Sequence, residues 1–83
     1  LTSGSITFNY GNYNFYVIIG RPSSTASRTS LVVPRILLTT SAVSFQIADE
    51  SNYKSFNLSY SGSTVTLAIQ NGAGQINRVF GIN

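Results

Sequence analysis

Residues 53–60, YKSFNLSY, and 64–70, TVTLAIQ, decide the fold class of this chain. In the first segment Phe56, Leu58 and Tyr60 fall on one side of an extended backbone, and Ser55, Asn57 and Ser59 on the other. In the second, Val65, Leu67 and Ile69 share a side. Successive side chains of a strand point to opposite faces, so strict alternation marks a half-buried β-strand rather than a helix. Ser61-Gly62 between the two segments is a turn signal, and together they predict a β-hairpin.

The same period runs through the rest of the chain. Residues 42–48, AVSFQIA, alternate with Val43, Phe45 and Ile47 inward, and the polar run Asp49-Glu50-Ser51-Asn52 turns the chain into the hairpin. Asn71-Gly72-Ala73-Gly74 is the next turn. Residues 75–82 form a last strand with Ile76, Phe80 and Ile82 on one face, interrupted by Arg78. Towards the N-terminus, residues 5–10 place Ile6, Phe8 and Tyr10 on one face. Gly11-Asn12 reads as a tight turn into 13–19, YNFYVII, completing a first hairpin. That strand carries Tyr13, Phe15, Val17 and Ile19 on one side and Asn14, Tyr16 and Ile18 on the other. Both sides are partly apolar, as in a central strand covered twice, the second cover being a partner subunit. Residues 20–28, GRPSSTASR, hold almost nothing to bury and read as an exposed loop. The β pattern resumes at 29–33, Pro34 marks a strand end or edge, and 35–40, RILLTT, continues in extended form. Seven or eight short strands between turn signals predict a single all-β domain over residues 1–83. The expected form is a small antiparallel β-sandwich, with a barrel as the alternative.

Composition narrows the chemistry. The 83 residues include no cysteine and no histidine, so disulfides and the usual zinc or copper sites are excluded. Charged residues are 8% of the chain, against roughly 25% in an average domain. Polarity comes from Ser, Thr, Asn and Gly. The net charge of +3 rests on five dispersed basic residues, Arg21, Arg28, Arg35, Lys54 and Arg78, which form no nucleic-acid stripe. No segment reaches the ~20 apolar residues of a spanning helix, so no membrane insertion is expected.

The only carboxylates, Asp49 and Glu50, are adjacent and point apart on an extended backbone. They suit a solvated turn better than a catalytic pair or a weak calcium site with Asn52. Lys54 is the only base available to a serine nucleophile, and reads instead as a surface residue. An enzyme is therefore not expected, and no cofactor is implied. The binding candidates are the loop, with Arg21 and Arg28 among the hydroxyls of Ser23, Ser24 and Thr25, and an aromatic patch of Tyr10, Tyr13 and Tyr16 around the first hairpin. Arginine grips carboxylates and phosphates, hydroxyls suit glycans, and tyrosine offers a stacking face with a polar tip. For these tyrosines core or oligomer packing is the leading reading, and a sugar-stacking platform is the sharper alternative.

The order of these elements resembles the C-terminal modules of tailed-bacteriophage tail fibres and related tail-tip proteins. The resemblance is carried by an aromatic stretch ITFNYGNYNFYVIIG at 6–20, a polar RPSST at 21–25, and an extended SLVVPRILL at 30–38. The FNLSYSGSTVTLAI hairpin at 56–69 and the closing INRVFGIN at 76–83 complete it. It is a likeness of pattern over nearly the whole chain, the closing motif being its most specific part. It implies a homotrimeric, extracellular tip at the end of a virion fibre, with Leu1 following a longer upstream region and Asn83 as the C-terminus. Such a tip contacts a bacterial surface polysaccharide or outer-membrane protein. No receptor residues transfer by position. The alternatives are a trimerisation, capping or decoration module of a virion, and a carbohydrate-binding module of a secreted protein; the lack of tryptophan weighs against the second.

Overall fold

The computed structural model describes residues 1–9 and 13–83. Among them are seven strands: β1 (Ser5–Phe8), β2 (Phe15–Arg21), β3 (Thr29–Pro34), β4 (Val43–Ala48), β5 (Tyr53–Ser61), β6 (Thr64–Ile69) and β7 (Gln75–Ile82). They form two antiparallel sheets, ordered β1-β6-β5-β4 and β3-β2-β7. The β-sandwich is thus the architecture, and the sheets do not close into a barrel.

The β5–β6 hairpin lies where alternation places it, with Leu58 opposite Leu67 and Tyr60 opposite Val65. β4 adds on the far side with Phe45 opposite Phe56, and their rings stack at 6.0 Å. Phe56, Leu58, Val65, Leu67 and Ile47 form one half of the core. Tyr16, Ile18, Val33 and Ile76 form the other, and Leu38 joins from the connection between the sheets. Full burial of each of these large side chains contributes about 1.5–3 kcal/mol before conformational entropy is charged against it.

Five expectations are corrected. First, β1 and β2 do not form a hairpin. β1 pairs with β6, placing Ile6 beside Leu67 and Phe8 beside Val65, while β2 lies in the other sheet. Alternation identifies a strand but not its partner, and here the apolar stripe of β1 extends the core of the meander β4-β5-β6. The turn read at Gly11-Asn12 lies outside the described residues. Second, residues 35–37 leave the extended form. Pro34 has no N–H to continue the ladder, and Arg35–Leu37 make one 3-10 turn closed by the Leu38 amide on the Arg35 carbonyl at 2.9 Å.

Third, β7 does not keep one face. Ile19 pairs with Arg78 but Gly20 with Ile76, so a bulge at Asn77 resets the phase. Ile76 and Val79 therefore face the core, whereas Arg78, Phe80 and Ile82 line the outside. Gly20 permits this close approach, since a Cβ there would stand 2.5 Å from the Gln75 carbonyl oxygen. Fourth, Gly20 and Arg21 belong to β2, and Pro22 is buried, so the exposed loop is shorter than 20–28.

Fifth, Lys54 is not a surface residue. It occupies the inward phase of β5 with 4% of its surface exposed. Its ammonium donates to the carbonyls of Gly72 at 2.7 Å and Thr2 at 3.1 Å. Through Thr2 it ties down the segment 1–4, whose flanking residues bridge the sheets. Leu1 exchanges main-chain hydrogen bonds with Ile76 of β7, and Gly4 accepts from Ile69 of β6 at 2.9 Å. A buried cation needs such acceptors, because an unpaired one costs several kcal/mol, of order 5.

Candidate functional site: two unlike outer faces

Of the predicted aromatic patch, Tyr16 does not reach the surface. Tyr16 is fully buried in the core, with its ring 6.4 Å from that of Phe8. Burial pushes its phenol pKa up, opposed by the nearby Arg35 charge and reinforced by Tyr60. Tyr13 is half-buried and packed over Gly81, where a Cβ would fall 2.5 Å from the ring. Tyr10 lies outside the described residues. Tyr16 is a packing residue because the strand phase that carries it and Ile18 faces the opposite sheet, and Tyr13, which precedes β2, packs against the same core beside Gly81.

The loop residues remain accessible in part. Ser24, Thr25 and Arg28 are exposed and Ser23 is half-buried, its carbonyl accepting the Ala26 amide at 3.3 Å. Arg21 is half-buried; Nη1 donates to the Ser24 carbonyl at a long 3.4 Å, while its buried Nε has no partner among the described residues. Arg21 and Arg28 therefore do not present a matched pair of free guanidinium groups. The Asp49 carboxylate is occupied by its own turn, accepting the amides of Ser51 at 2.9 Å and Asn52 at 2.8 Å, which lowers its pKa. Among the described residues no group of three or more His, Cys, Asp or Glu stands close enough to hold a metal ion.

What the register does build is two outer faces of opposite character. On the outside of the three-stranded sheet, three cross-strand rows run Pro34–Phe15–Ile82, Val32–Val17–Phe80 and Ser30–Ile19–Arg78. The first two rows are wholly apolar and the third is mixed. Val32 is 54% exposed, and Ile36 and Leu37 on the adjoining 3-10 turn are 89% and 52% exposed. At the apolar end lies an open depression of about 470 Å³ lined by Asn14, Phe15, Pro34, Arg35 and Ile36. Arg35 is held there by Nε donation to the Tyr13 carbonyl at 2.8 Å and lies 5.7 Å from the centre of the Tyr60 ring. The polar loop leaves the opposite end of the same sheet, after Arg21 and before Thr29.

On the outside of the four-stranded sheet the rows are Ser44–Asn57–Ala68–Ser5, Gln46–Ser55, Ser59–Thr66–Thr7 and Ala48–Tyr53. No residue of these rows carries a charge. Alternation in the sequence contained both faces, but which phase was outermost was settled only once each strand had a partner. The two-sided apolarity of 15–19 was the available signal for the first face, and the Ser, Thr, Asn and Gln phase of four strands was the signal for the second. No protein-family model, no curated protein and no solved structure matches this chain.

Proposed function

We propose that this chain is a non-enzymatic tip module of a bacteriophage tail fibre, which associates with copies of itself as a homotrimer and attaches the virion to a bacterial surface polysaccharide. The observation that carries this reading is the contrast between the outer faces, one apolar and one uncharged and hydrogen-bonding. Phe15, Val32, Ile36, Leu37 and Ile82 together expose roughly 500 Å² of apolar side chain, at about 200 Å² per fully exposed large residue. That is as large as the biggest apolar patch on a typical monomer, and marks an interaction surface. With the half-buried Val17, Phe80 and Pro34 and the surrounding rim, it approaches the ~800 Å² per partner of a standard interface. Low charge favours association of identical copies, since few like charges oppose it.

Association through the Pro34–Phe15–Ile82 end leaves the loop at the other end, and the whole polar sheet face, turned outward. That arrangement is the one an attachment module requires. Three weak sites on one assembly then gain avidity on a repetitive surface.

The test is the solution mass of the chain by light scattering at micromolar concentration, paired with adsorption to host cells. A trimer that adsorbs is expected, and Phe15→Glu with Val32→Glu should give a folded monomer that adsorbs far more weakly. A wild-type monomer sinks the assembly half of the proposal. A trimer without affinity for cells or glycans makes the chain a structural capping or decoration module instead.

A further inference from the structure

We infer that the attachment site is the outer face of the four-stranded sheet, and that its ligand is an uncharged polysaccharide chain lying across the strands. This rests on the attachment reading above and names the site and ligand class within it. The carrying observation is the register itself. Ser44, Asn57, Ala68 and Ser5 stand in one row across all four strands. Adjacent strands are about 4.8 Å apart, so the row spans roughly 14 Å, enough for several linked pyranose rings.

The chemistry of the face selects the ligand. Hydroxyl and amide side chains both donate and accept, as sugar hydroxyls do. The Ser44 hydroxyl donates to Oδ1 of Asn57 at 2.9 Å, which orients the amide and leaves its NH₂ to donate to a ligand. Ala68, beside Asn57 in the row, is small and leaves a shallow step where a ring can approach the sheet. Tyr53, 42% exposed at the end of the face, offers an aromatic edge and ring for stacking. Its ring is backed by Gly72, at φ +107°, where a Cβ would stand 2.9 Å from Cδ2. An acidic polysaccharide would require cations on this face, and the rows supply none; the five basic residues lie elsewhere or, as Lys54, inside.

The experiment uses the whole chain on an array of immobilised neutral hexose polysaccharides and of uronate- or phosphate-bearing ones. The variants are Ala68→Arg, which fills the centre of the face, the pair Asn57→Ala with Thr66→Val, and the loop pair Arg21→Ala with Arg28→Ala. Circular dichroism and solution mass confirm that each variant folds and assembles. Expected is binding to neutral chains that changes less than about twofold with added salt, since no ion pair is involved. Ala68→Arg should weaken it by about tenfold or more, and the loop pair should leave it unchanged. Binding restricted to acidic chains, or lost in the loop pair and kept in both face variants, overturns the face while leaving the attachment reading intact. Binding to neither class of chain nor to host cells overturns both.

Discussion

Lys54 offers the sharpest test of how this sandwich is held together. Its ammonium makes two charge-assisted hydrogen bonds, to the carbonyls of Gly72 and Thr2. Each is worth about 1.5–3 kcal/mol. Against that stands the cost of taking an ammonium out of water, itself several kcal/mol, of order 5. The two terms nearly cancel. Replacement by Met removes both together while keeping a stem of similar length. The two carbonyls it releases belong to Thr2 and Gly72, residues that are themselves exposed. Lys54→Met should therefore alter stability by no more than about 1 kcal/mol. Lys54→Ala also loses the stem, three groups at about 0.8 kcal/mol each, or about 2–3 kcal/mol in all. For a domain of this size that separates the two melting temperatures by roughly 10–20 °C.

Calorimetry measures the separation, and amide exchange measures the local effect. In Lys54→Met the amide of Ile76, bonded to Leu1, and that of Ile69, bonded to Gly4, should exchange faster than amides of the β4–β5 ladder, because residues 1–4 lose their tether. If Met costs as much as Ala, the hydrogen bonds outweigh the burial penalty and the cancellation is wrong. If both are harmless, Lys54 is not inside the sandwich.

Other outcomes follow from single contacts. Gly81→Val should lower the melting temperature by roughly 5–20 °C, as its side chain displaces the Tyr13 ring at a cost of about 1–3 kcal/mol; an unchanged melting temperature would remove Tyr13 from that position. Asp49 is held below its ordinary pKa of 3.8 by the Ser51 and Asn52 amides. Its stabilising effect is complete above that ordinary value and fades as pH falls through the lower folded value. Asp49→Asn should thus flatten the decline in melting temperature below about pH 4, and a titration identical to wild type would refute the capping role. Arg35→Lys keeps the charge but not the planar fork between the Tyr13 carbonyl and the Tyr60 ring. It should cost about 1 kcal/mol by denaturant titration, whereas a neutral result would make that contact incidental.

How far the chain could be read beforehand differs between fold and site. The hairpin of β5 and β6, the inward phase of β4 and the turns at 49–52 and 71–74 were legible, because each depends on alternation and turn residues within a few positions. Lys54 was misplaced because polarity argued for exposure, and only the carbonyls of Thr2 and Gly72, 52 and 18 residues away, make its burial tolerable. For Tyr16 the sequence left packing and surface stacking side by side, and burial decides for packing. The expected hairpin around it does not form, since β1 pairs with β6, and the opposite sheet closes over Tyr16.

By itself, then, the sequence determined that the chain is built of short antiparallel strands and is free of histidine and cysteine chemistry, since both are properties of residue type and local spacing. Partnership between strands, the bulge at Asn77 and the separation into an apolar and an uncharged outer face were decided by tertiary structure. The reason is geometric: in a strand of period two, either phase can be the inner one until a second sheet packs against it, and that contact lies many residues away along the chain.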